Sequence, residues 1–180
     1  MKKRALFVFA DGVEELELIA PVDVLRRAGV EVCMATAGEG IRVLSRGNVT
    51  FHADCLFSDV SIHDFDILVL PGGPGVIALR RQGLLTVVLQ EFAASGRPIA
   101  AICAAPLLLH DAGLLVGRRF TSHDSCWGEL AESDRQDAVV CDGGIITSRG
   151  AGTALEFGLV LVGILCGSTA RGKVEGEIML

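Results

Sequence analysis

Apolar residues come in short unbroken runs that alternate with stretches of helical periodicity. Residues 5–9 (ALFVF) read as a strand that ends at Asp11-Gly12, and residues 13–28 as a helix stopped by Gly29. Residues 30–35 (VEVCMA) read as a second strand, and residues 41–56 as a strand pair around the turn Arg46-Gly47-Asn48. Residues 66–70 (DILVL) predict a strand stopped by PGGPG, and residues 82–95 a helix. Residues 98–102 (PIAAI) predict a strand that runs without a loop into a helix over 104–111. Two short strands, 138–141 and 145–148, flank DGG; a helix follows over 153–166 and a short one over 169–177. Strands that are apolar throughout, rather than at alternate positions, are buried on both faces. Interleaved with helices, they predict a mainly parallel sheet between two helical layers, with sites beyond the carboxyl ends of the strands. No repeat or linker divides residues 1–180, so one α/β domain is expected.

Composition narrows the function. With 51% hydrophobic and 21% charged residues the chain is a folded globular protein, and its formal net charge of −6 argues against nucleic acid or an anionic membrane as partner. The basic start MKKR is followed by an apolar patch too short for a signal peptide, and residues 157–170 fall short of the roughly 18–20 residues of a membrane span. A cytoplasmic protein with reduced thiols is expected. The six cysteines form no C-x-x-C pair, and the glycines match neither the dinucleotide fingerprint nor the P-loop, so neither metal nor cofactor is expected.

One cysteine stands apart. Cys103, in IAAICAAP, falls where a strand becomes a helix, flanked by Ala100, Ala101, Ala104 and Ala105, with Pro106 in the first helical turn. A junction this sharp presents its side chain above the sheet edge, as a nucleophile elbow does, and the helix N-terminus favours the reactive thiolate. The other cysteines read as small core fillers; Cys126, near His123, is the least settled of them.

A nucleophilic thiol wants a partner. Of the four histidines, His110 is roughly 10 Å further along the same helix, and His52 and His63 lie in a segment that reads as peripheral. His123 follows an extended piece that folds back toward the site in this reading, or is a surface histidine. Glu17 is the better lead. Its neighbours at i+3, i+4, i+7 and i+11 are Ala20, Pro21, Val24 and Ala28, an apolar stripe, whereas Asp23, Arg26 and Arg27 share the polar face. A carboxyl forced into such surroundings tends to stay protonated and then donates a hydrogen bond to a thiolate. The alternative is an acid that merely favours the helix N-terminus. PGGPG is either a plain turn or a source of N–H groups at Gly72 and Gly73 that, with Ala104, would form an oxyanion hole.

The segments RALFVFADGVEELE, PVDVLRRAGVEV, LSRGNV, DILVLPGG, AAICAAP, TSH and GGIITSRGAGTALEFGL together resemble the ThiJ/PfpI superfamily, and more closely its branch of the parkinsonism-associated protein deglycase and bacterial relatives. The resemblance implies a flavodoxin-like α/β/α sandwich that forms a homodimer. It implies Cys103 as nucleophile, Glu17 as its protonated partner, His123 as an accessory group, and Gly73 and Ala104 as oxyanion donors. Arg27 and Arg46 match arginines near the pocket and dimer seam, and Asp23 has a match as well. The activity implied is cofactor-independent and acts on methylglyoxal-like dicarbonyls or their early adducts with thiols and amines. The alternatives are an oxidant-responsive stress protein or chaperone working through a Cys103 sulfinate, a role in thiamine-precursor synthesis, or a binding domain. Ala104 stands where the peptidase branch places histidine after the nucleophile, which disfavours a peptidase. Ala151 replaces a proline common in the relatives.

Overall fold

The computed structural model describes residues 2–180. Among them nine strands form: β1 (Arg4–Phe9), β2 (Glu31–Thr36), β3 (Arg42–Leu44), β4 (Thr50–His52), β5 (Cys55–Leu56), β6 (Ile67–Leu70), β7 (Ile99–Ile102), β8 (Val139–Asp142) and β9 (Ile145–Ser148). Seven make the central sheet in the order β5-β2-β1-β6-β7-β9-β8, all parallel except the β8–β9 pair. β3 and β4 form a separate antiparallel hairpin. Among the described residues six α-helices, with four short 3-10 turns between elements, complete the fold: α1 (Glu15–Arg27), α2 (Gly75–Gln82), α3 (Leu84–Ala94), α4 (Pro106–Asp111), α5 (Ala154–Cys166) and α6 (Ser168–Glu177).

The pleat sorts β1 between two cores. Leu6 and Val8 join Leu79, Leu89, Phe92 and Leu108 under α2–α4. Phe7 and Phe9 join Leu18, Leu25, Phe157 and Leu161 under α1 and α5. Burial on both faces is why the strand shows no polar alternation. The result is the expected flavodoxin-like α/β/α sandwich.

Besides shifts of one residue, several boundaries differ from the sequence reading. The stretch read as one strand pair over 41–56 is the β3–β4 hairpin followed by β5, which joins the central sheet beside β2. The helix expected over 82–95 is α3, and an unforeseen helix, α2, precedes it, with Gly83 between them at φ 65°. α2 was hidden because PGGPG reads as a stop, yet Gly75 opens the helix. A Cβ there would lie 2.6 Å from the Asp11 carbonyl, so this glycine serves close packing rather than a turn. The β7–α4 junction is not loopless: Cys103–Ala105 form a turn before Pro106. Helix α1 starts two residues late, capped by the Glu14 carboxylate, which accepts the Glu17 N–H at 2.9 Å.

Candidate active site

β7 ends at Ile102, and the chain turns within one residue. Cys103 adopts φ 65°, a left-handed conformation that a side chain makes costly by about 1–3 kcal/mol. Two hydrogen bonds hold it there: its N–H donates to the Ser148 carbonyl on β9, and its carbonyl accepts the His123 N–H, both at 2.9 Å. Asn48 and Met179 also take positive φ, but of the three only Cys103 ends a strand of the central sheet, where such strain marks a presented side chain.

Glu17 arrives from α1. It is 1% exposed, among Leu18, Pro21 and Val22 of the same helix face, so the apolar stripe reads correctly. The Gly72 N–H donates to its Oε2 at 2.9 Å. Gly72 is also where the carboxyl and the thiol converge. A Cβ there would lie 2.6 Å from Glu17 Oε2 and 2.7 Å from Cys103 Cβ, so only glycine leaves both side chains room. This N–H is committed to the carboxyl, so Gly72 is the holder of Glu17 rather than an oxyanion donor.

Burial pushes the Glu17 carboxyl up from 4.5 to about 7, and a hydrogen bond with the Cys103 side chain pulls the other way. The Cys103 thiol is pushed up as well, first by burial and then by the negative charge of Glu17, while the Gly73 and Ala104 N–H groups lower it. The expectation of a standing low-pKa thiolate is thereby corrected. α4 has six residues, and its few N–H groups do not outweigh lost solvation. Glu17, which titrates near neutrality and lies beside the thiol, is placed to move a proton on whatever the sulfur binds.

The buried carboxyl sets a stability profile. Between pH 4.5 and 7 the folded protein holds a Glu17 proton that the unfolded chain has released. Stability from this group is therefore highest below pH 4.5 and falls as pH rises to 7, by a total of about 3 kcal/mol. Glu17→Gln is expected to melt at a higher temperature than the parent above pH 7, with the gap closing toward pH 4.5. Thermal unfolding of both proteins across that range checks this, and a gap independent of pH contradicts it.

The remaining candidates divide. The His123 ring is exposed; its Nδ1 accepts the Ser125 N–H at 3.2 Å and lies 2.9 Å from Ser125 Oγ. A Cβ on Gly150 would meet His123 Cδ2 at 3.4 Å and Glu17 Oε1 at 3.8 Å, so His123 stands across Gly150 from the carboxyl at the mouth of the site. Gly150 closes Ser148-Arg149-Gly150, a repeat of Ser45-Arg46-Gly47 that is the sequence signal for its place beside the site. Arg46 is close enough for its charge to lower both Glu15 and Glu17, and its N–H donates to the Val13 carbonyl at 2.8 Å. Glu15 accepts the Gly47 N–H at 3.1 Å and so ties the hairpin turn to α1. Arg27 does not reach the pocket. Ten residues beyond Glu17 on α1, about 15 Å along the axis, it pairs with Asp23 at 2.7 Å on the exposed face. Cys126 is buried, and its thiol is pushed up by that burial. Among the described residues no cluster of His, Cys, Asp and Glu is arranged to hold a metal ion.

The sandwich and its strained cysteine beside a buried carboxyl define a flavodoxin-like protein with an elbow thiol at the carboxyl end of its sheet. The DJ-1/PfpI family model matches residues 3–163, and the chain belongs to that family. It is 40% identical to Protein dj-1beta of Drosophila melanogaster over all of this chain and 98% of the relative. The crystal structure of Drosophila melanogaster DJ-1beta superposes with a TM-score of 0.95 at 38% identity, covering 100% of this chain and 99% of that one. A protein named deglycase from Pyrococcus abyssi is 35% identical over 81% of this chain and 89% of its own length. Protein DJ-1 homolog B of Arabidopsis thaliana is 38% identical over 87% of this chain, which spans only 36% of that longer relative. Toxoplasma gondii DJ-1, solved in an oxidised form, has a TM-score of 0.91 at 32% identity, with 98% of each chain covered.

Proposed function

We propose that this protein is a cofactor-independent deglycase or glyoxalase-type enzyme that converts methylglyoxal-like dicarbonyls, or their early adducts with thiols and amines, to hydroxy acids. The carrying observation is the convergence of the buried Glu17 carboxyl and the strained Cys103 thiol over Gly72. The name of the Pyrococcus relative adds support.

The proposed steps balance without an external oxidant. Cys103 sulfur attacks the aldehyde carbon, and the aldehyde oxygen becomes an oxyanion facing the Gly73 and Ala104 N–H groups. That oxygen takes up the proton lost by the thiol, giving a hemithioacetal, while Glu17 stays a carboxylate. Glu17 next removes the hydrogen from the carbon bonded to sulfur and delivers it to the neighbouring carbonyl carbon, while the hydroxyl proton passes to that carbon's oxygen, which yields a thioester. Water attacks the thioester, the carbon–sulfur bond breaks, and lactate leaves. Methylglyoxal plus water gives lactate, so the carbon skeleton supplies both the oxidised and the reduced centre. His123 at the mouth orients the second carbonyl. Methylglyoxal disappearance matched by lactate formation tests the reading; disappearance without lactate overturns it.

The assembly proposed is a cytoplasmic homodimer. Leu16 and Ile19 on α1 and Leu44 and Val49 on the adjoining hairpin are 42–57% exposed, an apolar face next to Asp23 and Arg27. Light scattering is expected to give twice the chain mass, and a single-chain mass contradicts it.

The oxidised Toxoplasma neighbour favours a second reading, in which Cys103 is converted to a sulfinate by peroxide. Protonated Glu17 and the Gly73 and Ala104 N–H groups would then hold the sulfinate oxygens. Mild peroxide is expected to add two oxygens at Cys103 before any are added at Cys126, Cys141 or Cys166, as read by peptide mass. Prior oxygen addition at one of those three ends this reading.

A further inference from the structure

We propose that Cys33 and Cys55 join in a reversible disulfide on exposure to a peroxide, making the β2–β5 sheet edge a second oxidation site of this protein. Both are free and half-buried, and their sulfurs lie 3.5 Å apart, so one thiol donates its S–H to the other. The sheet register brings them together. Ala35 on β2 pairs with Cys55 on β5, and Cys33, two residues earlier, points to the same face.

The site is separate from the catalytic thiol. Cys33 and Cys55 pack against the core under α2–α4, whereas Cys103 packs against the core on the opposite face of the sheet. Asp54 anchors the local backbone, because its carboxylate accepts the Met34 N–H at 2.8 Å and its own N–H donates to the Met34 carbonyl at 2.7 Å. That leaves a two-residue edge strand, bonded on one side only, to close the roughly 1.5 Å from contact to the ~2.05 Å of a disulfide.

The two sulfurs have different tasks. Burial and the neighbouring Cys55 sulfur push the Cys33 thiol up, and Cys55, on the two-residue edge strand, is the one that meets peroxide first. Cys55 sulfur attacks a peroxide oxygen, the O–O bond breaks, and Cys55 becomes a sulfenic acid with release of water. Cys33 sulfur then attacks the Cys55 sulfur, the S–O bond breaks, and the hydroxide leaves with the Cys33 proton as a second water. Two thiols and one hydrogen peroxide give one disulfide and two waters.

The experiment treats full-length protein with a few equivalents of hydrogen peroxide, blocks remaining thiols and digests without reduction. Trypsin cleaves after Arg42 and Arg46, so the two cysteines fall on different peptides. The expected result is a Cys33–Cys55 cross-linked peptide that is lost on treatment with dithiothreitol and forms to the same extent in Cys103→Ser protein. Recovery of the two peptides unlinked, under conditions that oxidise Cys103 in the parent, overturns the proposal. So does either cysteine linked to a different one, or a cross-link that vanishes in Cys103→Ser. Each of these outcomes leaves the proposed dicarbonyl chemistry untested and intact, because that chemistry uses neither sulfur.

Discussion

Cys103→Ala protein is expected to lose methylglyoxal turnover by at least about 1,000-fold while folding normally. The expectation rests on the absence of a second placed nucleophile. Glu17 touches the space over Gly72 but has no role in binding carbon, and Cys126, the other thiol of that region, is buried. Alanine also removes nothing the fold depends on: the backbone bonds that hold residue 103 run through its N–H and carbonyl, to Ser148 and His123. The left-handed φ of 65° remains a cost for alanine, so the variant is expected to be no more stable than its parent. Steady-state lactate production and a melting curve on the same sample separate lost chemistry from lost structure. Wild-type turnover in the alanine variant is incompatible with a cysteine mechanism.

Glu17→Gln carries the second large effect, a fall of about 100- to 10,000-fold in turnover. The amide oxygen can still accept the Gly72 N–H, now 2.9 Å from Glu17 Oε2, so the position is kept while the ability to accept and return a proton is lost. The thiol fares differently. Glu17 charge is among the causes that push Cys103 up, so its removal leaves alkylation of Cys103 by iodoacetamide at least as fast as in the parent. Turnover and thiol reactivity are thus expected to part company in this one variant. The parent rate should also rise with pH through about 7, as Glu17 ionises, and that rise should be absent in the residual rate of Glu17→Gln. Parallel loss of alkylation and turnover would make Glu17 an activator of the thiol rather than a carrier of protons.

How far the residues alone disclosed this site depends on the kind of contact. β1, β6 and β7 were legible because burial on both faces leaves their sequences apolar without alternation. Glu17 was legible because helical spacing alone sets it among Ala20, Pro21 and Val24. The start of α2 was not, since Gly75 is required by its closeness to the Asp11 carbonyl, a contact between segments 64 residues apart. The thiol's titration was misjudged for a similar reason. Pro106 announces a helix start, but the solvation lost by Cys103 comes from neighbours on β9, α1 and the Gly72 loop. The role of Gly72 also needed three dimensions, because its N–H faces a carboxyl 55 residues away. Cys33 and Cys55, each an ordinary core filler in its own strand, become a pair only once β5 is placed beside β2.

The central claim is that Glu17 moves a proton on an adduct carried by Cys103. Native mass spectrometry of Glu17→Gln protein mixed with methylglyoxal tests it most directly. The account predicts accumulation of one methylglyoxal on Cys103, absent from the Glu17→Gln/Cys103→Ala double variant, with little lactate released. An adduct that persists in the double variant, or lactate released by Glu17→Gln at the parent's rate, would contradict it.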